Sequence, residues 1–231
     1  MMKSGIDQEA LIDMFSQATA KQGETLRKAV SDATLKGLQG RELTMQNIRG
    51  VLKSVTQAAS TGLAQNTSPG VDVEGLLEKA FAGMDAALLK AVEANRRALQ
   101  QFVDHGVDLQ GKQLKTALAD LEKFEDVFLA TVTKAAQAAG DQMQGPWEHV
   151  LDAMKLKGTA TGNQATTAVE QLMDQTRTAL RDSRAASVKA AQALAQSYSA
   201  LVSGVLIGIT EGMQQAETPP PPAASRTTRR K

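Results

Sequence analysis

Cysteine is absent from the 231 residues, which excludes disulfides, thiolate catalysis and Cys-ligated zinc and suits a reducing cytoplasm. Aromatic residues make up only 3%: Phe15, Phe81, Phe102, Phe124, Phe128, Trp147 and Tyr198. The apolar faces are therefore built largely from Ala, Val, Leu and Met, with few of the large rings that bury most area per residue. Thin faces of that kind suit long helices packed closely, or helices laid on a broad surface. An excess of one charge is missing too, since 26 Lys and Arg face 25 Asp and Glu, so no overall field steers the chain toward nucleic acid. The segment MMKSGIDQEA has no apolar h-region, so no secretory signal is expected and a cytoplasmic location is.

Catalytic constellations are equally scarce. His105 and His149 are the only histidines, and Glu148-His149 lacks the H-E-x-x-H spacing that sets two ligands on one helical face. Gly111-Lys112 has neither the upstream glycine nor the following hydroxyl of a phosphate-binding loop. Asp120, Glu122, Glu125 and Asp126 have no EF-hand order and read as a solvated face. No serine stands in a nucleophile elbow. The expectation is a protein that is not an enzyme and uses no metal or cofactor.

What is present is helix-forming sequence without period-two runs. A first helix is expected over residues 7–36, with Gly37 and Gly40 as stop signals, and a second over 43–64. Together they form an N-terminal hairpin spanning residues 1–66. Asn66 to Gly70, NTSPG, is a turn, and Asp72 follows as an N-cap with Val71 and Leu76 placed as a hydrophobic staple. A helical pattern then runs to about residue 139, bent at Gly106 and Gly111. Gly140 and Gly145-Pro146 mark a break, with a short helix expected from Pro146 to Leu156 around a core Trp147. GTATGN, Gly158 to Asn163, reads as a loop, and a last helix as residues 164–214. Residues 67–217 thus form a long-helix bundle. Residues 218–231, with Pro219 to Pro222, form an extended, disordered tail.

An eleven-residue step picks out apolar stripes. Leu77, Leu88, Leu99, Leu121 and Val132 form one, with Gln110 the exception; Phe81, Val92, Val103, Leu114 and Ala136 form another, interrupted by Glu125. Stepping by seven from Leu77 runs through Met84, Ala91 and Ala98 into His105, Lys112 and Asp126. Val169, Leu180, Ala191, Val202 and Met213 are again eleven apart. Eleven residues in three turns is about 3.67 per turn, near the relaxed helix, so such stripes stay straight without a left-handed supercoil. They fit bundle packing, or a face lying along an extended apolar surface.

Ala200 to Gly212, ALVSGVLIGITEG, is the densest apolar stretch. The uncharged run around it, between Lys189 and Glu211, contains Gln192, Gln196, Ser197, Ser199, Ser203 and Thr210, so a membrane crossing is not expected. Gly204, Gly208 and Gly212 share one helical face, flanked by Leu201, Val205 and Ile209, and permit close backbone approach. The stretch reads as a docking face. The tail carries Arg226, Arg229, Arg230 and Lys231 without a carboxylate or an aromatic, enough for weak, salt-labile, sequence-blind contact with a polyanion.

Long Ala/Gln-rich helices, no cysteine, few aromatics, eleven-residue stripes and the ending PPPPAASRTTRRK together resemble bacterial phasins, coat proteins of polyhydroxyalkanoate granules. Thr34 to Ala59, TLKGLQGRELTMQNIRGVLKSVTQAA, also resembles an uncharacterised bacterial helical family. The resulting expectation is an all-α bundle of long antiparallel amphipathic helices acting as a non-enzymatic coat or scaffold. Its binding surface would comprise Leu77, Phe81, Leu88, Val92, Leu99, Val103, Leu201, Gly204, Val205, Gly208 and Ile209. The phasin resemblance implies a hydrophobic polymer or lipid surface as partner and a peripheral position on storage granules; a homo-oligomer is also expected. The alternatives are a nucleoid- or polyanion-associated protein acting through the tail, and an oligomeric adaptor for a protein partner.

Overall fold

A computed structural model describes residues 6–39, 43–105, 112–182 and 198–217. It is an all-α bundle with no strand among the described residues. The helices are α1 (Gln8–Ser16), α2 (Gly23–Leu38), α3 (Met45–Ala64), α4 (Val73–Asp104), α5 (Lys112–Glu122), α6 (Phe124–Gln137), α7 (Asp141–Lys157), α8 (Ala160–Asp182) and α9 (Tyr198–Glu217). No described helix is long and apolar enough to cross a membrane.

The N-terminus of α4 forms as its sequence predicts. Asp72 accepts a hydrogen bond from the Gly75 amide at 2.9 Å, satisfying one orphan donor of the first turn, and Val71 packs against the core. From there α4 runs through the middle of the bundle, with α2, α7, α8 and α9 all packed on it. Buried side chains from Ile6 to Leu206 form one continuous apolar cluster around it.

Close crossings at two glycines bring the N-terminal helices in. A Cβ on Gly83 of α4 would stand 2.6 Å from the Arg27 carbonyl oxygen of α2, and one on Gly62 of α3 would stand 2.5 Å from the Ile12 carbonyl oxygen of α1. The Asn66 side-chain amide then donates to the Phe15 and Ala18 carbonyls at 2.9 Å each, closing the C-terminal end of α1. Polar groups elsewhere in the core are relayed. Trp147 is fully buried as expected, its indole N–H donating to Ser60 Oγ at 2.9 Å. Ser60 donates in turn to the Thr56 carbonyl and Thr56 to the Leu52 carbonyl.

The helices are shorter than the periodicity predicts. The expected helix over 7–36 ends at Ser16 and restarts, because Thr19 and Gln22 form a capping box that opens a new turn. Gly37 is not a stop: it lies inside α2, buried against Ile6 and Val51, while Gly40 lies outside the described residues. The expected continuous pattern from Asp72 to Ala139 is three helices. Phe81 and Phe128 stack with ring centroids 4.5 Å apart, whereas 47 residues of one straight helix would separate them by roughly 70 Å. Gly106 and Gly111 fall outside the described residues.

The eleven-residue series therefore joins positions on different helices. Within α4 the seven-residue series Met84, Ala91 and Ala98 is as buried as Leu88 and Leu99. The two periods separate only beyond Asp104, where α4 has ended. The last helix is likewise divided: Thr161 bonds Asp85 and Tyr198 bonds Asn95. These anchors lie only about 15 Å apart along α4, too close for the two ends of one straight segment of roughly 55 Å. Of that stripe Leu180 falls in α8 and Met213 in α9, Ala191 lies outside the described residues, and Val169 is half-buried.

Two further boundaries differ. α7 starts at Asp141 after Gly140, which takes φ 93, and holds Pro146 within its second turn. GTATGN is not a loop, because α8 begins inside it at Ala160. Carboxylates from distant helices cap that start. Asp85 of α4 accepts from the Ala160 and Thr161 amides at 2.9 and 3.0 Å. Glu125 of α6 accepts from the Thr159 amide and hydroxyl at 2.8 Å each. Glu125 is thus half-buried and structural rather than part of a solvated face, Asp120 is half-buried as well, and Glu122 and Asp126 are exposed.

The glycines yield a sharp contrast. Gly62→Ala and Gly83→Ala are each expected to destabilise the fold by about 1–3 kcal/mol, because backbone must move. Gly50→Ala, with nothing within 4 Å, should stabilise by up to about 1 kcal/mol through helix propensity. Urea midpoints check this, and equal midpoints for all three would refute the close crossings. A second expectation concerns pH. Glu74 of α4 faces the His149 ring at 2.8 Å and, by hydrogen bonding and charge, raises the pKa of the imidazole. The contribution of the pair is complete below the ordinary histidine value of about 6.5 and is lost as pH rises through the raised value. His149→Ala should flatten that part of the stability–pH curve, and an unchanged curve would contradict it.

Candidate docking surfaces

α9 is apolar on both its packed and its open side. Val202 and Leu206, fully buried, and the largely buried Ser203 and Thr210 face the bundle, at the spacing of one helical face. The helix is held in register at its start. The Tyr198 hydroxyl donates to Asn95 Oδ1 at 2.8 Å, Asn95 donates to the Ala91 carbonyl at 2.9 Å, and Phe102 lies beside the Tyr198 ring with centroids 6.2 Å apart. Burial, with a smaller contribution from the Asp120 charge, pushes the Tyr198 hydroxyl far above the usual phenol range, so it remains a donor at all physiological pH.

Away from that anchor, the open side of α9 presents Gly204 and Gly208, with Leu201, Val205 and Ile209 beside them, partly packed against the core. Leu201, Val205 and Ile209 are half-buried along its edge. Gly204 and Gly208 are exposed, and a Cβ on either would meet nothing within 4 Å. Among the described residues these glycines serve no helix crossing, in contrast to Gly62 and Gly83.

The other expected surface residues are elsewhere. Leu77, Leu88, Leu99 and Val92 are fully buried in α4, and Phe81 and Val103 nearly so. In the closed bundle they are interior contacts, because helices cover α4 on several sides, so they would meet a surface only if the bundle opened. Arg226, Arg229, Arg230 and Lys231 lie outside the described residues. His105 ends α4, its ring facing the Gln101 carbonyl, and His149 pairs with Glu74 on the surface. Among the described residues no three His, Asp or Glu side chains form a metal-binding group.

A second surface feature was not anticipated from the sequence. Between α3 and α6 lies an open groove of about 850 Å³, floored by Gly50, Val127, Ala130, Thr131, Ala135 and Ala138. Arg49 and Lys53 stand on the α3 side, Lys123 and Lys134 on the α6 side, and Asp126 is the only carboxylate in the lining among the described residues. The signal in the sequence is local: Arg49 and Lys53 are one turn apart on α3 beside a glycine. Its meaning depends on α6 folding back beside them.

Residues 1–215 match the model of a family of unknown function, DUF6781, and the chain belongs to that family. No curated protein and no solved structure matches it.

The anchor at Tyr198 predicts how α9 is held. Tyr198→Phe leaves the Asn95 oxygen buried without its donor and is expected to cost about 1–2 kcal/mol. Amide exchange should accelerate across α9 more than across α3. Uniform exchange and an unchanged urea midpoint would show that the bond does not hold α9.

Proposed function

We propose that this member of DUF6781 is a non-enzymatic helical coat or scaffold protein, phasin-like in style, that meets a hydrophobic surface through the open side of α9. The observation that supports this reading is the side of α9 carrying Leu201, Gly204, Val205, Gly208 and Ile209, where two exposed glycines leave the backbone free for close approach. A helix apolar on its solvent side is not a usual solution for a bundle that only needs to fold, since polar residues normally cover that side. A polyester or lipid surface needs no shape complementarity from the protein, only a dry stripe with polar neighbours, and the half-buried Leu201, Val205 and Ile209 provide one. The interior stripe of α4 stays closed in this reading.

Purified full-length protein is expected to bind polyhydroxybutyrate particles or triolein droplets in a sedimentation or flotation assay. Burying a Val or Ile side chain is worth about 1.5–3 kcal/mol. Val205→Asp with Ile209→Asp should therefore weaken particle binding by tenfold or more, with circular dichroism confirming an intact fold. Gly204→Glu with Gly208→Glu provides a second, less invasive pair, because both positions open to solvent. Absence of binding by the wild-type chain, or wild-type binding by both folded variants, would dismiss the reading.

A further inference from the structure

We propose that the groove between α3 and α6 docks an amphipathic helix of a partner protein, one whose apolar stripe is edged with Asp and Glu. Charge argues for the acidic edges. Four cations, Arg49, Lys53, Lys123 and Lys134, line the groove with one carboxylate, Asp126. Asp120 is within electrostatic reach of Arg49 and Lys123, and counting it as well still leaves an excess of two positive charges. None of the four makes an ion pair among the described residues, whereas Arg27, Lys79, Arg96, Arg97, Lys155 and Arg177 all do. Cations on both walls fit a ligand with carboxylates on both edges.

The floor argues for a helix and against a nucleic acid. Gly50, Val127, Ala130, Ala135 and Ala138 are small and apolar, with no aromatic on which a base could stack and no hydroxyl-rich wall for phosphate. Small residues between two packed helices leave a trough in which a third helix settles by ridges into grooves. Lys123 and Lys134 are about 16 Å apart along α6, which matches three turns of a bound helix. Gly50 has nothing within 4 Å of a Cβ position, so the trough is open from above. The site shares no residue with the open side of α9, and the two can act together: one face on a surface, the other recruiting a partner.

The test uses full-length protein and a fluorescein-labelled peptide of about 18 residues, with Leu and Ala at helical i, i+3, i+4, i+7 spacing and Glu along both edges. Fluorescence anisotropy should show saturable binding that weakens severalfold between 50 and 300 mM salt, on the order expected from screening. Lys53→Glu with Lys123→Glu is expected to weaken it by tenfold or more. Gly50→Leu, which plugs the trough without touching a charge, should do the same; both variants are checked for fold by circular dichroism. The Gly204→Glu, Gly208→Glu variant should bind the peptide as wild type does, which separates this site from the α9 face. Overturning results are no binding of the peptide, equal binding of a scrambled peptide of identical composition, equal binding of a single-stranded oligonucleotide, or full binding by the Gly50→Leu protein.

Discussion

The structure depends on α4 being dry around much of its circumference. Half of its 32 residues are buried, more than the single stripe that a surface helix offers a core. That is feasible with so few aromatics because Ala80, Ala87, Ala91, Ala94 and Ala98 keep the helix thin, and Gly83 lets α2 approach its backbone. Close approach recovers through dispersion what small side chains lose in area. The two stacked rings at Phe81 and Phe128 fill space where α6 folds back.

Thin apolar faces hold helices together but do not by themselves set their register, since an alanine-rich ridge slides at little cost. Polar contacts between distant segments supply what the faces lack. Tyr198 fixes α9 against Asn95, Trp147 fixes α7 against Ser60, and Asp85 and Glu125 fix the start of α8. Among the described residues no buried side-chain nitrogen or oxygen lacks a partner, and an orphan in such a site costs about 1–3 kcal/mol. A slipped helix would orphan several at once, which makes these contacts selective for one alignment.

This division of labour explains what was legible in the sequence. Local signals held: the all-α class, the Asp72 cap, the turn at Asn66 to Gly70 and the buried Trp147 follow from neighbours within a few residues. Boundaries set by distant partners did not. α8 begins at Ala160 because carboxylates 75 and 34 residues earlier in the chain receive its first amides and those of Thr159. No local pattern around GTATGN announces them. Stripes counted at a step of eleven were apolar for a real reason, burial, yet counting across the ends of helices turned several interior faces into one apparent rod. That Ala200 to Gly212 forms an apolar helix was legible because its residues are contiguous, and the groove was not because its walls come from segments some 70 residues apart.

Two routes lead from this fold to a hydrophobic surface, and magnitude separates them. Opening the bundle to present α4 would expose Leu77, Phe81, Leu88, Val92, Leu99 and Val103, each worth about 1.5–3 kcal/mol when buried. Their total is comparable with the whole stability of a typical domain, about 5–15 kcal/mol, and Asn95 and Gly83 would be stripped of their partners as well. A surface would have to replace all of that before any net affinity appeared. The side of α9 carrying Leu201, Val205 and Ile209 asks for no such rearrangement, because its glycines already face outward. A closed bundle that binds by its edge is therefore the cheaper arrangement, and it leaves the groove between α3 and α6 intact for a second contact.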